Sequence, residues 1–294
     1  NNISGKLPVS IPSANLKKGD GLERGNTLLE FTEQAYYDFS PVDSLIEKAV
    51  HDSVAPAMAV VIIKDGDIIH EKYAGRLTYE SNAAPVTDST IFDLASVSKV
   101  IATTTAAMIC YDRKLFALDD KVIKYFPKFK ANGKDKITIR HLLTHTSGLP
   151  AFKKYYELVK NDKELIADIF NSALDFEPGT KMVYSDLGMI TLAKIIEKVT
   201  GKKLDVFCKK EIFAKLGMQN TMYTPPVSLR YRIAPTELDD YWRNRLLIGE
   251  VHDEASSMLG GVAGHAGLFS TARDLGIFLQ MLLQQGSYGK IKLI

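Results

Sequence analysis

At 294 residues the chain is long enough for one large domain or two small ones. A core of that size buries about three quarters of the unfolded surface and needs no disulfide or metal staples. Its 37 lysines and arginines against 35 aspartates and glutamates leave a formal charge of +2, which excludes the electrostatic footprint of a nucleic-acid or anionic-membrane binder. The two cysteines, Cys110 and Cys208, show no C-x-x-C or Cys/His spacing, which excludes a disulfide scaffold and a zinc finger and predicts buried free thiols.

Residues 1–39 carry little periodic pattern. Pro8, Pro12, Gly19-Asp20-Gly21 and Gly25-Asn26 punctuate them, which predicts extended segments and turns. Asn1–Lys6 lacks the charged and apolar regions of a secretory leader, although a mature chain would have lost one. A helix is expected next, with Ser40 as N-cap, Pro41 at its first position, Asp43 in its first turn and Val42, Leu45, Ile46, Ala49 and Val50 on one face. A domain boundary is placed near residue 40. The longest apolar run, Val54–Ile63, contains Pro56 and falls far short of the roughly 20 residues of a membrane span.

Two β-rich runs, Ala57–Lys64 and Asp67–Tyr73, flank Asp65-Gly66, a pair suited to the positive φ angles of a tight hairpin. Helical patterns dominate from residue 96 to 216. Leu187, Ile190, Ile195, Ile196 and Val199 form one stripe closed by Gly201, and Leu204, Phe207, Cys208 and Ile212 form another closed by Gly217. A last helix is expected from Ser270-Thr271 to Leu283, with Asp274 paired to Thr271 at its cap. Strands followed by a helical block predict an α+β protein with an antiparallel sheet. Lys202-Lys203 and Lys209-Lys210 read as solvated surface.

The chemistry gathers around Phe92-Asp-Leu-Ala-Ser96-Val-Ser98-Lys99, which runs from a strand-like stretch into a helix. Three residues apart on a helix, the Ser96 hydroxyl and the Lys99 amine share a face. A serine becomes a nucleophile when a neighbouring base takes its proton, and a helix N-terminus favours the developing oxyanion. Ser-x-x-Lys alone is weak evidence, and on the pattern alone an ordinary N-cap serine with an exposed lysine is the stronger reading. Two further segments keep it company: Ile139-Arg-His141-Leu-Leu-Thr-His145-Thr-Ser-Gly-Leu-Pro150, then Glu177-Pro-Gly-Thr-Lys-Met-Val-Tyr184-Ser-Asp186-Leu-Gly188.

These motifs, in this order, resemble the serine β-lactamase and penicillin-binding-protein superfamily, above all its class C β-lactamases, DD-peptidases and esterases, over residues 41–294. The resemblance implies a β-lactamase/transpeptidase-like α+β fold, with a sheet-bearing lobe packed on a mainly helical one. It implies Ser96 as acylated nucleophile, Lys99 as its activating partner and Tyr184 as proton relay, with no cofactor and no metal. The expected substrate is a small molecule or peptide: a β-lactam, a D-Ala-type peptide or an ester. A bacterial periplasmic or cell-envelope setting is also implied.

Where the family carries Asn in Tyr-x-Asn, this chain has Asp186. An ionised Asp only accepts hydrogen bonds. Asp186 is therefore expected to hold Lys99 protonated and to repel anionic substrates such as penicillins, leaving a preference for esters or neutral amides. His265, in Gly260-Gly-Val-Ala-Gly-His265-Ala-Gly267-Leu-Phe-Ser-Thr, looks like the family's His-x-Gly third box. The helix expected at Ser270-Thr271 argues instead for the glycine-rich element that precedes that box, so His265 is given a structural or cleft-lining role. The third box and closing strands would then follow Ile294.

His141 and His145 lack the intervening Glu of a metalloprotease helix, and His145 is expected to make a local hydrogen bond. His252-Asp253-Glu254 reads as a loop bordering the cleft. Tyr241 and Trp242 suit either an apolar substrate wall or core packing. Residues 1–40 are either a linker or, through Ser4-Gly-Lys-Leu-Pro-Val-Ser-Ile-Pro12 and Lys18-Gly-Asp-Gly-Leu22, a tail resembling the end of a family 3 glycoside hydrolase. The fusion gives the rival reading of the chain, a weak or inactive β-lactamase-fold binding module beside a glycosidase.

Overall fold

A computed structural model describes residues 5–6, 21–22, 27–32 and 37–294. The Ser4–Pro12 and Lys18–Leu22 motifs lie largely outside the described residues. Of them, Gly5–Lys6 pairs antiparallel with Gly21–Leu22.

The helix Ser40–His51 forms where its Pro41 predicts, but the cap sits one residue earlier, at Phe39, and Ser40 donates its N–H to Asp38 Oδ1 instead of capping. Of its expected apolar face only Ile46 is buried, while Leu45 stays 68% exposed. This helix lies against the hairpin Ala57–Lys64/Asp67–Gly75, whose turn takes positive φ at Asp65 (55°) and Gly66 (98°) as the Asp-Gly pair requires. Glu30–Phe31 adds a third strand, parallel to Asp67–Ile68. Thr27 and Leu29 are held by Gln284 and Tyr288 at the other end of the chain. The sheet is thus antiparallel with one short parallel edge.

A second small sheet, in the order Phe92–Asp93, Leu268–Ser270, Met222–Tyr223, is wholly antiparallel. It leads straight into the helix Ala272–Leu283, whose N-cap Thr271 accepts the Asp274 N–H at 3.2 Å. That helix packs on Ala57–Lys64, and Gly276 permits the approach, since a Cβ there would meet Ile63 Cδ1 at 3.1 Å.

The helical lobe is organised around Asp186–Thr200, buried along Leu187, Ile190, Leu192, Ile195 and Ile196 and closed by Gly201 at φ 66°. Leu204, Phe207, Cys208 and Ile212 join the same core, ended by Gly217 at φ 75°. Both cysteines are free and buried, and burial pushes the Cys110 thiol up to about 11 and raises the Cys208 thiol as well. Among the described residues no helix is long and apolar enough to cross a membrane.

Candidate active site

The nucleophile candidate sits where the second sheet hands over to the helical lobe. Beyond Phe92–Asp93 the chain makes a single 3₁₀ turn, Ala95–Val97, then a π-wound stretch, Lys99–Thr104, before settling into the α-helix Thr105–Asp112. The regular helix expected from Ser96 is therefore replaced by two irregular turns, a departure frequent at functional sites. Ala95 stands at φ 44°, a left-handed conformation that L-residues rarely adopt, and its N–H donates to Asp93 Oδ1 at 2.8 Å. Ser96 is left exposed, while Ser98 is buried and accepts the Leu268 N–H at 3.0 Å.

Lys99 is 4% exposed. Its Nζ donates to Ser96 Oγ at 2.8 Å and to the His265 carbonyl at 3.0 Å, and lies 2.8 Å from Asp186 Oδ1. Two of these contacts, to Ser96 Oγ and the His265 carbonyl, have hydrogen-bond geometry, while Asp186 Oδ1 lies at ion-pair distance and accepts no hydrogen bond among the described residues. The three-residue spacing thus does bring hydroxyl and amine together.

Tyr184 and Asp186 arrive on the opposite wall. Ser185 caps the helix Asp186–Thr200 by accepting the Gly188 N–H and donating to the Pro150 carbonyl, which puts Asp186 at the first helical position, where a carboxylate is favoured. His145, at φ 55°, accepts the Ser185 N–H on Nδ1 at 3.1 Å and packs its ring on Tyr184 with centroids 4.6 Å apart. Burial, then the Lys99 charge, holds the His145 pKa below the usual imidazole value, which keeps Nδ1 free to accept. His141 likewise serves locally, in a capping box with Thr138. The Tyr184 ring lies 4.7 Å from Lys99 Nζ, and its hydroxyl makes no hydrogen bond among the described residues.

His265 contributes its backbone to Lys99 and its side chain to Asp253, in the segment expected to border the cleft. The ring is 1% exposed, and Nε2 meets Asp253 Oδ1 at 2.7 Å. Asp253 caps the short helix Glu254–Met258 through the Ser256 N–H. Burial opposes its charge, but the His265 hydrogen bond and charge, with the Ser256 N–H, keep its pKa below the usual carboxylate range. The preceding residue, His252, donates its N–H to Asp93 Oδ2 at 2.8 Å. Burial raises the Asp93 pKa against those two backbone donors. Nothing in the local pattern of His252-Asp253-Glu254 marks this role, because the partners are remote in sequence.

A cavity of about 190 Å³ is lined among others by Phe152, Tyr156, Asp186, Asp253, Glu254 and His265; it reaches Lys99 only through Asp186 and His265, and neither Ser96 nor Lys99 forms its wall. Trp242 stands behind this wall, its ring 5.5 Å from that of Tyr156, and Tyr241 donates its hydroxyl to Glu254 Oε1 at 2.6 Å. Asp186, Asp253 and His265 bring one ligand-type atom each within 4.8 Å of one another. Asp186 Oδ1 faces Lys99 Nζ, however, and the other two face each other.

A Ser-x-x-Lys pair at the junction of an antiparallel sheet and a helical lobe, with a tyrosine facing the lysine, is the arrangement of a protein of the β-lactamase and penicillin-binding-protein type. The chain belongs to the β-lactamase family, whose model, described as "Beta-lactamase", matches residues 42–292. It is 36% identical to a Bacillus subtilis N-acetylmuramyl-L-alanine amidase over 86% of this chain and 64% of that protein. It is 32% identical to an Escherichia coli K12 protein provisionally named a D-alanyl-D-alanine carboxypeptidase, over 98% of this chain and 70% of the relative, so that match extends into residues 1–40. The octameric penicillin-binding protein homologue of Pyrococcus abyssi superposes with a TM-score of 0.71 at 26% identity, covering 88% of this chain and 58% of that one. A class C β-lactamase from Rhodobacter sphaeroides shares the fold, with a TM-score of 0.68 at 24% identity over 84% of this chain and 66% of its own. The chain thus spans less than two thirds of the length of the Bacillus subtilis and Pyrococcus abyssi proteins.

Proposed function

We propose that this protein hydrolyses a small ester or a neutral D-amino-acid-type amide through an acyl-Ser96 intermediate, in a bacterial envelope setting. The observation that carries the reading is the 2.8 Å contact between Lys99 Nζ and Ser96 Oγ, made by a buried lysine on an exposed serine. In the acylation step Ser96 Oγ bonds to the acyl carbon as the bond to the leaving oxygen or nitrogen breaks. Lys99, acting in its neutral amine form, takes up the hydroxyl proton and, with Tyr184 as relay, that proton reaches the leaving group. Water then attacks the acyl-enzyme, one of its protons returns to Ser96 Oγ and the free acid departs.

Asp186 shapes the substrate range. Its carboxylate competes with Ser96 for the Lys99 amine and adds negative charge to the cavity wall, both unfavourable to an anionic β-lactam. The relatives named for peptidoglycan amide chemistry support an acyl substrate of that chemical kind.

The test is intact-protein mass spectrometry after exposure to a fluorophosphonate, a chromogenic ester and a penicillin. The expected result is an adduct on Ser96 with the first two, little with the third, and none in Ser96→Ala. Absence of any adduct would favour a non-catalytic binding module.

A further inference from the structure

Four consecutive carbonyls of the loop before Gly267 are each met by a side chain from outside the loop, two of them from the stretch Lys99–Thr104. Tyr223 Oη donates to Ala263 at 3.2 Å, Thr103 Oγ1 to Gly264 at 2.7 Å, Lys99 Nζ to His265 at 3.0 Å and Ser256 Oγ to Ala266 at 3.1 Å. The loop is also packed from behind: a Cβ on Gly264 would lie 2.1 Å from the Met189 carbonyl oxygen. Its shape is therefore dictated by these bonds and by the one ring it sends inward, His265, which is fixed on Asp253.

Asp253 is itself anchored. It accepts the Ser256 N–H, and the adjacent His252 N–H reaches Asp93, whose other oxygen holds the Ala95 N–H beside Ser96. The bonds close a circuit: Ser96 to Lys99, Lys99 to the His265 carbonyl, His265 to Asp253, and through His252 and Asp93 back to the turn that carries Ser96. We propose that Asp253 and His265 form a positioning pair, which holds the His265 carbonyl beneath Lys99 Nζ and so aims the amine at Ser96 Oγ. Neither side chain needs to touch the reacting atoms. The pair acts on the step in which Lys99 exchanges a proton with Ser96, and it rests on the acyl-Ser96 reading only for its effect on turnover.

Two readouts test it on the folded chain: ester hydrolysis, and reductive methylation of Lys99 followed by mass spectrometry. The exposed Lys203 serves as the labelling reference and the buried Lys134 as the folding reference. His265→Ala and Asp253→Ala should each lower kcat about 10- to 100-fold, the scale of a misplaced catalytic group, with KM within about threefold. The double variant should fall within about twofold of the worse single one, because a pair acting as a unit is lost only once. Asp253→Asn should rescue most of the Asp253→Ala loss, since an amide oxygen still accepts from His265 Nε2 and the Ser256 N–H. Lys99 labelling should rise several-fold in both alanine variants while Lys134 stays unlabelled.

Unchanged Lys99 labelling in His265→Ala, or kcat losses that multiply in the double variant, would overturn the proposal. A native chain inert towards every ester, in which Lys99 labelling still responds to both variants, would instead sink the acyl-hydrolase reading and leave the positioning pair standing.

Discussion

Two lysines are buried among the described residues, and they are buried in different company. Lys134 is fully enclosed between Phe129, whose ring centroid lies 5.7 Å from its Nζ, and the Ser172 carbonyl, to which it donates. Burial, then the charge of Lys153, pushes its pKa below the usual lysine value. Lys99, nearly as buried, meets a hydroxyl, a carbonyl and a carboxylate. Enclosure alone thus does not mark a lysine as reactive. What separates the two is an exposed hydroxyl among the acceptors of Lys99 and its absence around Lys134.

Removing the amine at each position draws the sharpest contrast. Lys99→Met should slow Ser96 adduct formation with a fluorophosphonate by about 10³-fold, within the range of a lost general acid or base. Lys134→Met should leave that rate unaltered; a comparable drop there would mean that Lys99 has no special standing. Deleting only the carboxylate brings Lys99 closer to the surroundings of Lys134. Asp186→Asn should raise the acylation rate by a penicillin on the order of tenfold, equivalent to about 1.4 kcal/mol. A stopped-flow rate at or below that of the native chain would refute the role given to Asp186.

The smallest effect is in stability. Because the Lys134 pKa is pushed down on folding, the unfolded chain binds that proton more tightly, so its enclosure costs most when the amine is charged and the cost fades as pH rises towards the ordinary value of 10.5. Urea midpoints of the native chain should therefore gain on those of Lys134→Met between about pH 7 and about pH 10. A constant gap would show that this amine is not held against its charge.

Local signals were readable in the sequence and remote ones were not. The Asp65-Gly66 hairpin, the Gly201 and Gly217 helix ends and the Thr271 cap depend on residues within a few positions of one another, and each is found. Ser96 and Lys99 belong to the same class, as neighbours within one turn. The short strand Glu30–Phe31 had no periodicity to reveal it, because its existence depends on the Asp67–Ile68 edge beside it. Leu45 followed the helical period yet faces solvent, since periodicity marks a face without saying whether anything covers it. Asp253 was legible as part of a cleft-bordering loop, but its partners were not. Its meaning lies in contacts with His265 and, through His252, with Asp93, which only the folded chain assembles.

Ala95 carries a consequence for timing. A non-glycine residue held at φ 44° represents strain on the order of 1–3 kcal/mol, retained only because its surroundings over-determine it. Here those surroundings are the Asp93 carboxylate and the strand it belongs to. The freedom of the serine's backbone is therefore surrendered during folding, before any substrate arrives. On the acyl-Ser96 proposal, a substrate entering this cleft would meet a serine whose main chain has no further ordering to undergo.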